Sequence, residues 1–304
     1  MRLLVIGLEH LYESRRLLEE GGRLGHDVSV RPFPDLLFSV GQLGQAPDSP
    51  VKSTILLDGQ PIDRQFDAVY IRYFYPYISE ALTLAEWAYR RGLALIDRSL
   101  ATANFVHSKM YNAWKLAEAG LPVPPGFQAM RQEIARERLA DLHQPIIAKG
   151  VHGSKGKYVF RLDDPAQELE RINDDLVGFF TFQQYLEIER EYRVLVLDGK
   201  PLGAISKQPA VGDFRRNVSL GGQVEAAQPD AEHLAICRQA AHVLGYQFAG
   251  VDLAISRGRP YILEVNRSPG FAGFEEATGQ NVAAAFLTMV AGQVKRLQPA
   301  PKRK

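Results

Sequence analysis

The feature that most constrains this chain is a pair of β-type runs near its end, Gly250-Val251-Asp252-Leu253-Ala254-Ile255 and Tyr261-Ile262-Leu263-Glu264-Val265-Asn266, separated by Arg257-Gly258-Arg259-Pro260. Branched residues bounded by glycine and proline read as a β-hairpin. With Gly258 at the centre of the turn, Asp252 faces Glu264. The period of two then puts Asp252, Glu264 and Asn266 on one side and Val251, Leu253, Leu263 and Val265 on the other. One face must enter a core, and two carboxylates and an amide must share the opposite face. Hard oxygen donors at that density suit Mg²⁺ or Mn²⁺, which keep positions open for water and nucleotide phosphates. The competing reading is an ordinary polar face turned to solvent.

Upstream, the first hundred residues alternate the two periodicities. Strand-like Leu3–Ile6, Val28–Arg31, Ala68–Tyr73 and Leu93–Ile96 are interleaved with helix-like stretches near Leu11–Arg23 and Ser79–Arg91, and Asp58-Gly59 carries a hairpin-turn signal. This predicts an open α/β domain over residues 1–100. The turn Gly7-Leu8-Glu9-His10 lacks the spaced glycines of a dinucleotide fold. Residues 42–52 read as a surface loop. Ser108 is placed to cap a helix with Met110, Ala113, Trp114 and Ala117 at helical spacing, ended by Gly120 and Pro122. A stiff connector, Leu121–Gly126, leads into strands at Ile146–Lys149 and Tyr158–Phe160 that flank a glycine-rich flap near 149–158. Further strands are predicted at Phe179–Gln184, Tyr192–Leu197 and Leu202–Lys207, with a helix from Asp230 to Leu244 ended by Gly245. A last helix carries Val282, Phe286, Met289 and Val290 on one stripe. Residues 101–298 thus form a second domain, and 299–304 a frayed basic tail.

Composition limits the partners. The 36 basic and 35 acidic side chains nearly cancel, which argues against a nucleic-acid or anionic-membrane surface. No run approaches the roughly 18 apolar residues of a membrane span, so a cytoplasmic location is expected. The single cysteine, Cys237, sits at a core position of its helix and excludes an internal disulfide. The histidines show no metal-ligand spacing and no Gly-x-Ser-x-Gly turn occurs, so zinc and serine hydrolysis lack support.

Two glycine-rich segments carry further chemistry. Backbone N–H groups in Gly150-Val151-His152-Gly153-Ser154-Lys155-Gly156-Lys157 can cradle phosphate oxygens, with Lys149 reaching the same charge. The loop is not of the Walker type, because Tyr158 stands where a serine or threonine should follow the lysine and a strand follows in place of a helix. In Gly212-Asp213-Phe214-Arg215-Arg216-Asn217, an arginine outside any periodic element can clamp a phosphoryl group or a carboxylate. A plain glycine turn and solvated arginines are the alternatives.

Taken in order, Gly212–Asn217, Gly221-Gly222, Ala249-Gly250-Val251-Asp252, Glu264-Val265-Asn266-Arg267-Ser268-Pro269-Gly270 and Glu275-Glu276-Ala277-Thr278-Gly279 resemble the ATP-grasp superfamily, and within it the RimK-like ligases that add amino acids, typically glutamate, to a carboxyl end. The resemblance covers roughly residues 96–297. It implies an α/β (α+β) chain, with a pre-ATP-grasp domain followed by a two-subdomain ATP-grasp fold. It also implies ATP contacts from Lys109, Lys149, Gln184, Tyr185 and Glu191, with the flap residues Gly153, Ser154 and Gly156 closing over the nucleotide. The same resemblance implies that Arg215 and Asn217 would face the phosphates and the nascent acyl phosphate, and that Asp252, Glu264 and Asn266 would hold two Mg²⁺ or Mn²⁺ ions. Gln184 stands where many relatives have glutamate, and Glu191 where the RimK type has aspartate. The aromatic run Tyr70–Tyr77 has no counterpart in the resemblance.

The expected reaction is ligation of a carboxylate, on a peptide, a protein tail or a small molecule, to an amine such as an amino acid, with release of ADP and phosphate. An ester-forming or free amino acid ligase, or a non-catalytic ATP-binding module, are the alternatives, and homo-oligomerisation is left open.

Overall fold

The structure is a computed structural model that describes residues 1–40, 53–102, 108–150, 159–169, 177–208 and 223–297. Strands β1 (Arg2–Ile6), β2 (Asp27–Arg31), β3 (Leu36–Val40), β4 (Ser53–Leu57), β5 (Gln60–Pro61), β6 (Ala68–Ile71) and β7 (Ala94–Ile96) occupy the amino-terminal third. A parallel sheet runs in the order β2-β1-β6-β7, and β3, β4 and β5 make a small antiparallel one. The β4–β5 turn is Asp58-Gly59, with φ of 51° and 75°, a left-handed pair that suits a tight hairpin. Both faces of the parallel sheet are covered. Leu3 and Val5 pack with helix Tyr12–Arg23 and the last helix, while Leu4 and Ile6 pack with helix Ile78–Arg90. That is why β1 reads as a continuous apolar run.

Strands β8 (Gly126–Phe127), β9 (Ile146–Gly150), β10 (Val159–Leu162) and β11 (Phe180–Gln184) form an antiparallel sheet ordered β10-β9-β11-β8. Strands β12 (Arg190–Leu197), β13 (Lys200–Gln208), β14 (Gln223–Ala227), β15 (Phe248–Ser256) and β16 (Arg259–Arg267) form a larger one ordered β14-β13-β12-β15-β16. The connector joins them. Ile262 donates its N–H to Pro122 O at 2.8 Å, and Gln184 donates to Pro125 O at 2.8 Å.

One face of the larger sheet buries Tyr192, Val194, Val196, Val251, Leu253 and Ile255 under helix Ala231–Leu244. Asp230 caps that helix and Gly245, with φ 71°, ends it. Cys237 lies in this core, where burial pushes its thiol up to about 12. Among the described residues no helix is long and apolar enough to cross a membrane.

Ser108 caps helix Lys109–Glu118 as expected, accepting from Tyr111 N at 3.3 Å, and the stripe through Met110, Ala113, Trp114 and Ala117 is not the side the helix buries. Leu116 is buried against the core of helix Ala231–Leu244, and Trp114 is 53% exposed. One expectation needs correction. The hairpin pairs Asp252 with Glu264 as expected, though by another route. The turn contains only Arg257 and Gly258, with Ser256 paired to Arg259, and Leu263 is an extra residue at a bulge. The bulge restores the register, so Ile262 and Val265 enter the core and Leu263 does not.

Candidate active site

The opposite face of the larger sheet changes character along its length. Leu195, Leu197, Ile205 and Phe248 join the core beneath the amino-terminal sheet. The same parity carried one or two steps further places Glu191, Arg193, Lys207 and Asp252 together. Arg193 and Asp252 are register partners on β12 and β15. The guanidinium forks onto the carboxylate, Nε to Oδ1 at 2.8 Å and Nη2 to Oδ2 at 2.7 Å. Lys207, only 2% exposed, places Nζ 2.7 Å from Asp252 Oδ1 and 2.9 Å from Glu191 Oε1. Burial alone would raise the Asp252 pKa, but Arg193 and then Lys207 outweigh it and hold the carboxyl well below its usual range.

Glu264 and Asn266 are half-buried beside this cluster on β16. Asn266 Nδ2 is buried without a hydrogen-bond partner among the described residues, an amide whose polar end is left to a ligand or to rotation of the group. No three His, Cys, Asp or Glu side chains gather as a metal site among the described residues. The candidate donors Asp252, Glu264 and Asn266 are two carboxylates and one amide, a hard-oxygen set whose chemistry would suit Mg²⁺ if nucleotide phosphates completed the shell. Gly250 has its own reason to be glycine, because a Cβ there would stand 2.8 Å from Pro269 Cβ. The Ser-Pro-Gly loop after Asn266 thus lies directly on β15.

Lys149 comes from β9, in the facing sheet. Its neighbours include Glu264, Glu191 and Asp252, with Lys109 opposing them, and burial pushes its ammonium below the ordinary value. Lys109 donates from Nζ to Gly150 O at 3.1 Å. The two lysines expected on ATP phosphates therefore meet at the end of β9. The Gln184 amide is engaged with His143: Oε1 accepts from His143 N at 2.9 Å and Nε2 donates to His143 O at 2.8 Å, so it clamps the segment before β9. Tyr185 lies under the Arg161 guanidinium, 5.0 Å from the ring centre. Gly153, Ser154, Gly156, Arg215 and Asn217 lie outside the described residues.

Sequence reasoning missed Arg193 and Lys207. Their signal was strand parity, since Arg193 shares a face with Glu191 and Lys207 with Ile205, but reading it requires the register of three strands. It also missed the junction. Arg267, next to Asn266, donates to Ile71 O at 2.6 Å and lies over the Phe74 ring at 4.9 Å. Arg72 pairs with Glu13 at 3.0 Å and donates to Pro269 O at 3.2 Å. The aromatic run divides between two roles: Tyr70 and Phe74 are buried, while Tyr73, Tyr75 and Tyr77 are exposed.

Comparison with known proteins places the chain in a family. The family model of the RimK-like ATP-grasp domain matches residues 108–290. A probable alpha-L-glutamate ligase of Marinomonas sp. (strain MWYL1) is 28% identical over 288 residues, covering 91% of this chain and 90% of the relative. Another, from Klebsiella pneumoniae (strain 342), is 29% identical over 294 residues, with 93% of each chain covered. Among solved structures, the ATP-grasp ligase PsnB, complexed with a phosphomimetic variant of its minimal precursor, Mg and ADP, superposes with a TM-score of 0.72 at 24% identity, covering 96% of this chain and 98% of that one. The macrocyclase MdnC from Microcystis aeruginosa MRC, bound with precursor peptide MdnA, gives 0.70 at 14% identity, covering 95% and 99%. At those identities the structures speak for the fold, and the family match carries the rest. The chain belongs to the RimK-like ATP-grasp family of ATP-dependent carboxylate–amine ligases.

Proposed function

We propose that this ligase joins the amine of an amino acid, glutamate in the first instance, to a carboxylate on a peptide or protein tail. The observation that carries the reading is the joint placement of Asp252, Glu264 and Asn266 on one sheet edge with Lys149 reaching over from the facing sheet. The relatives' names supply glutamate as the amine, and the precursor peptides bound by PsnB and MdnC supply the kind of acceptor.

Lys109 and Lys149 bind the ATP phosphates as charge-assisted donors. The backbone around Gln184-Tyr185 meets the adenine, since the Gln184 side chain is engaged with His143. Glu191 accepts from the ribose once Lys207 loosens its hold, and Arg215 and Asn217 face the γ-phosphate. Asp252, Glu264 and Asn266 hold Mg²⁺ or Mn²⁺, two ions in the full site, which when bound offset phosphate charge. A substrate carboxylate oxygen attacks the γ-phosphorus and ADP leaves. The amine nitrogen then attacks the acyl carbon, inorganic phosphate leaves and the nitrogen loses a proton. Positioning and charge stabilisation account for the catalysis, and no enzyme nucleophile is needed.

Purified protein incubated with ATP, Mg²⁺, amino acids and a pool of acidic peptides should release ADP and phosphate and add a residue mass to a peptide. AMP and pyrophosphate, or product from free amino acids alone, would reject the reading.

A further inference from the structure

Among the described residues, every hydrogen-bond or ion-pair partner of the Asp252 carboxylate is a cation. Arg193 holds both oxygens at 2.8 and 2.7 Å, and Lys207 holds Oδ1 again at 2.7 Å. A carboxylate offers about four lone-pair sites, so three are taken. Mg²⁺ or Mn²⁺ binds carboxylate oxygen at roughly 2.1 Å, and an ammonium retained on that oxygen would then lie roughly 4 Å from the ion. Two cations that close, in a site with Lys207 almost wholly out of water, repel strongly. The Arg193 fork is fixed by strand register, whereas the lysine is a single flexible arm with a second partner, Glu191, already in reach.

We propose that Lys207 is a resident counter-cation of Asp252 that must change partners before a divalent ion can bind, and that the nucleotide polyphosphate is the anion that draws it away. Metal and nucleotide then enter as one unit, and the nucleotide-free protein keeps its acidic edge closed to metal. Lys207 is a positioning residue in this scheme: it moves between Asp252 and phosphate and takes no part in bond making. The inference rests on the metal assignment proposed above.

The test is Mn²⁺ binding followed by the loss of free-ion electron paramagnetic resonance signal, in wild type, Lys207→Met and Lys207→Met/Asp252→Asn, each checked for fold by circular dichroism. Without nucleotide, wild type should show no saturable binding below about 1 mM, and Lys207→Met should bind at least about tenfold more tightly. The double variant should lose that gain, which locates the ion at Asp252. Saturable micromolar binding to nucleotide-free wild type overturns the proposal whether or not the Lys207 variant folds, as does a folded Lys207→Met that binds no better. If wild type with saturating ADP holds no more Mn²⁺ than ADP alone, the metal assignment itself falls and this inference with it. If wild type binds without nucleotide and Asp252→Asn abolishes that, the assignment stands and only the exchange falls.

Discussion

Replacing Arg193 with methionine should destabilise the protein by about 3 kcal/mol, the lower end of the roughly 3–5 kcal/mol lost when one partner of a buried ion pair is removed. The change deletes two charge-assisted hydrogen bonds, at 2.8 and 2.7 Å, and leaves an almost fully buried carboxylate behind. The lower end applies because Lys207 stays 2.7 Å from the same carboxylate and continues to offset its charge. Arg193→Lys keeps the charge but loses the fork, and its cost should fall between those of wild type and methionine. The variants are compared by equilibrium urea unfolding, read as a shift in midpoint at constant slope.

Adding Asp252→Asn to Arg193→Met supplies the control. If the cost comes from stranding a buried charge, neutralising that charge should recover at least about 1 kcal/mol relative to Arg193→Met alone, a coupling of the size expected for contacting residues. A loss under about 1 kcal/mol in Arg193→Met would refute the reasoning, because the pair would then behave like a screened surface bridge. So would strict additivity in the double variant.

Glu264→Ala should abolish ATP turnover while moving the unfolding midpoint little, since Glu264 is half-buried on the polar edge of β16; near-normal turnover at saturating Mg²⁺ would remove it from the site. Lys149→Ala should weaken ATP binding by about 1.5–3 kcal/mol, the worth of a charge-assisted contact, and unchanged affinity by calorimetry would count against it. Asp97 is fully buried, and burial pushes its carboxyl up to about 6 against the pull of Arg267 and two backbone N–H groups. A raised folded-state value means that the folded form binds its proton more tightly. Its contribution to stability is therefore present at low pH and is lost as pH rises from about 4 to about 6, by roughly 3 kcal/mol. Wild type minus Asp97→Asn should show that decline in unfolding free energy, and a difference that rises with pH would reverse the assignment.

The acidic edge was legible because one hairpin with a period of two puts Asp252, Glu264 and Asn266 on the same side whatever surrounds it. Helix ends were legible for an equally local reason: Ser108 and Asp230 accept from N–H groups three residues on, and Gly245 adopts the left-handed angle that ends a helix. The turn hid its own mechanism, because a two-residue turn plus a bulge at Leu263 leaves the same pairing as a three-residue turn. Helical spacing told which residues share a stripe but not which stripe is packed, and Trp114 shows the difference. Lys207 and Arg193 could not be assigned at all without β13, β12 and β15 in register, since their partner Asp252 is 45 and 59 residues away by numbering.

That register explains why a charged cluster of this density can be held in place. Along one face of the larger sheet, Glu191 and Arg193 give way to Leu195 and Leu197, Lys207 to Ile205, and Asp252, on the β15 side, to Phe248. The apolar half packs against Phe271 and Phe286, with Phe248 and Phe286 ring centres 5.5 Å apart, and this core extends to Leu3 and Val5 of the amino-terminal sheet. Burial of the apolar half fixes the height of the charged half, so the acids need no packing of their own. Arg267, one residue beyond Asn266, donates to Ile71 O and lies over the Phe74 ring, which ties the acidic edge to the carboxyl end of β6. Open parallel sheets bind ligands at that edge. Arg267 from the end of β16 and Arg72 from the end of β6 cross the junction in opposite directions, one to Ile71 O and the other to Pro269 O, so the acidic edge and the parallel sheet are held in one fixed relation.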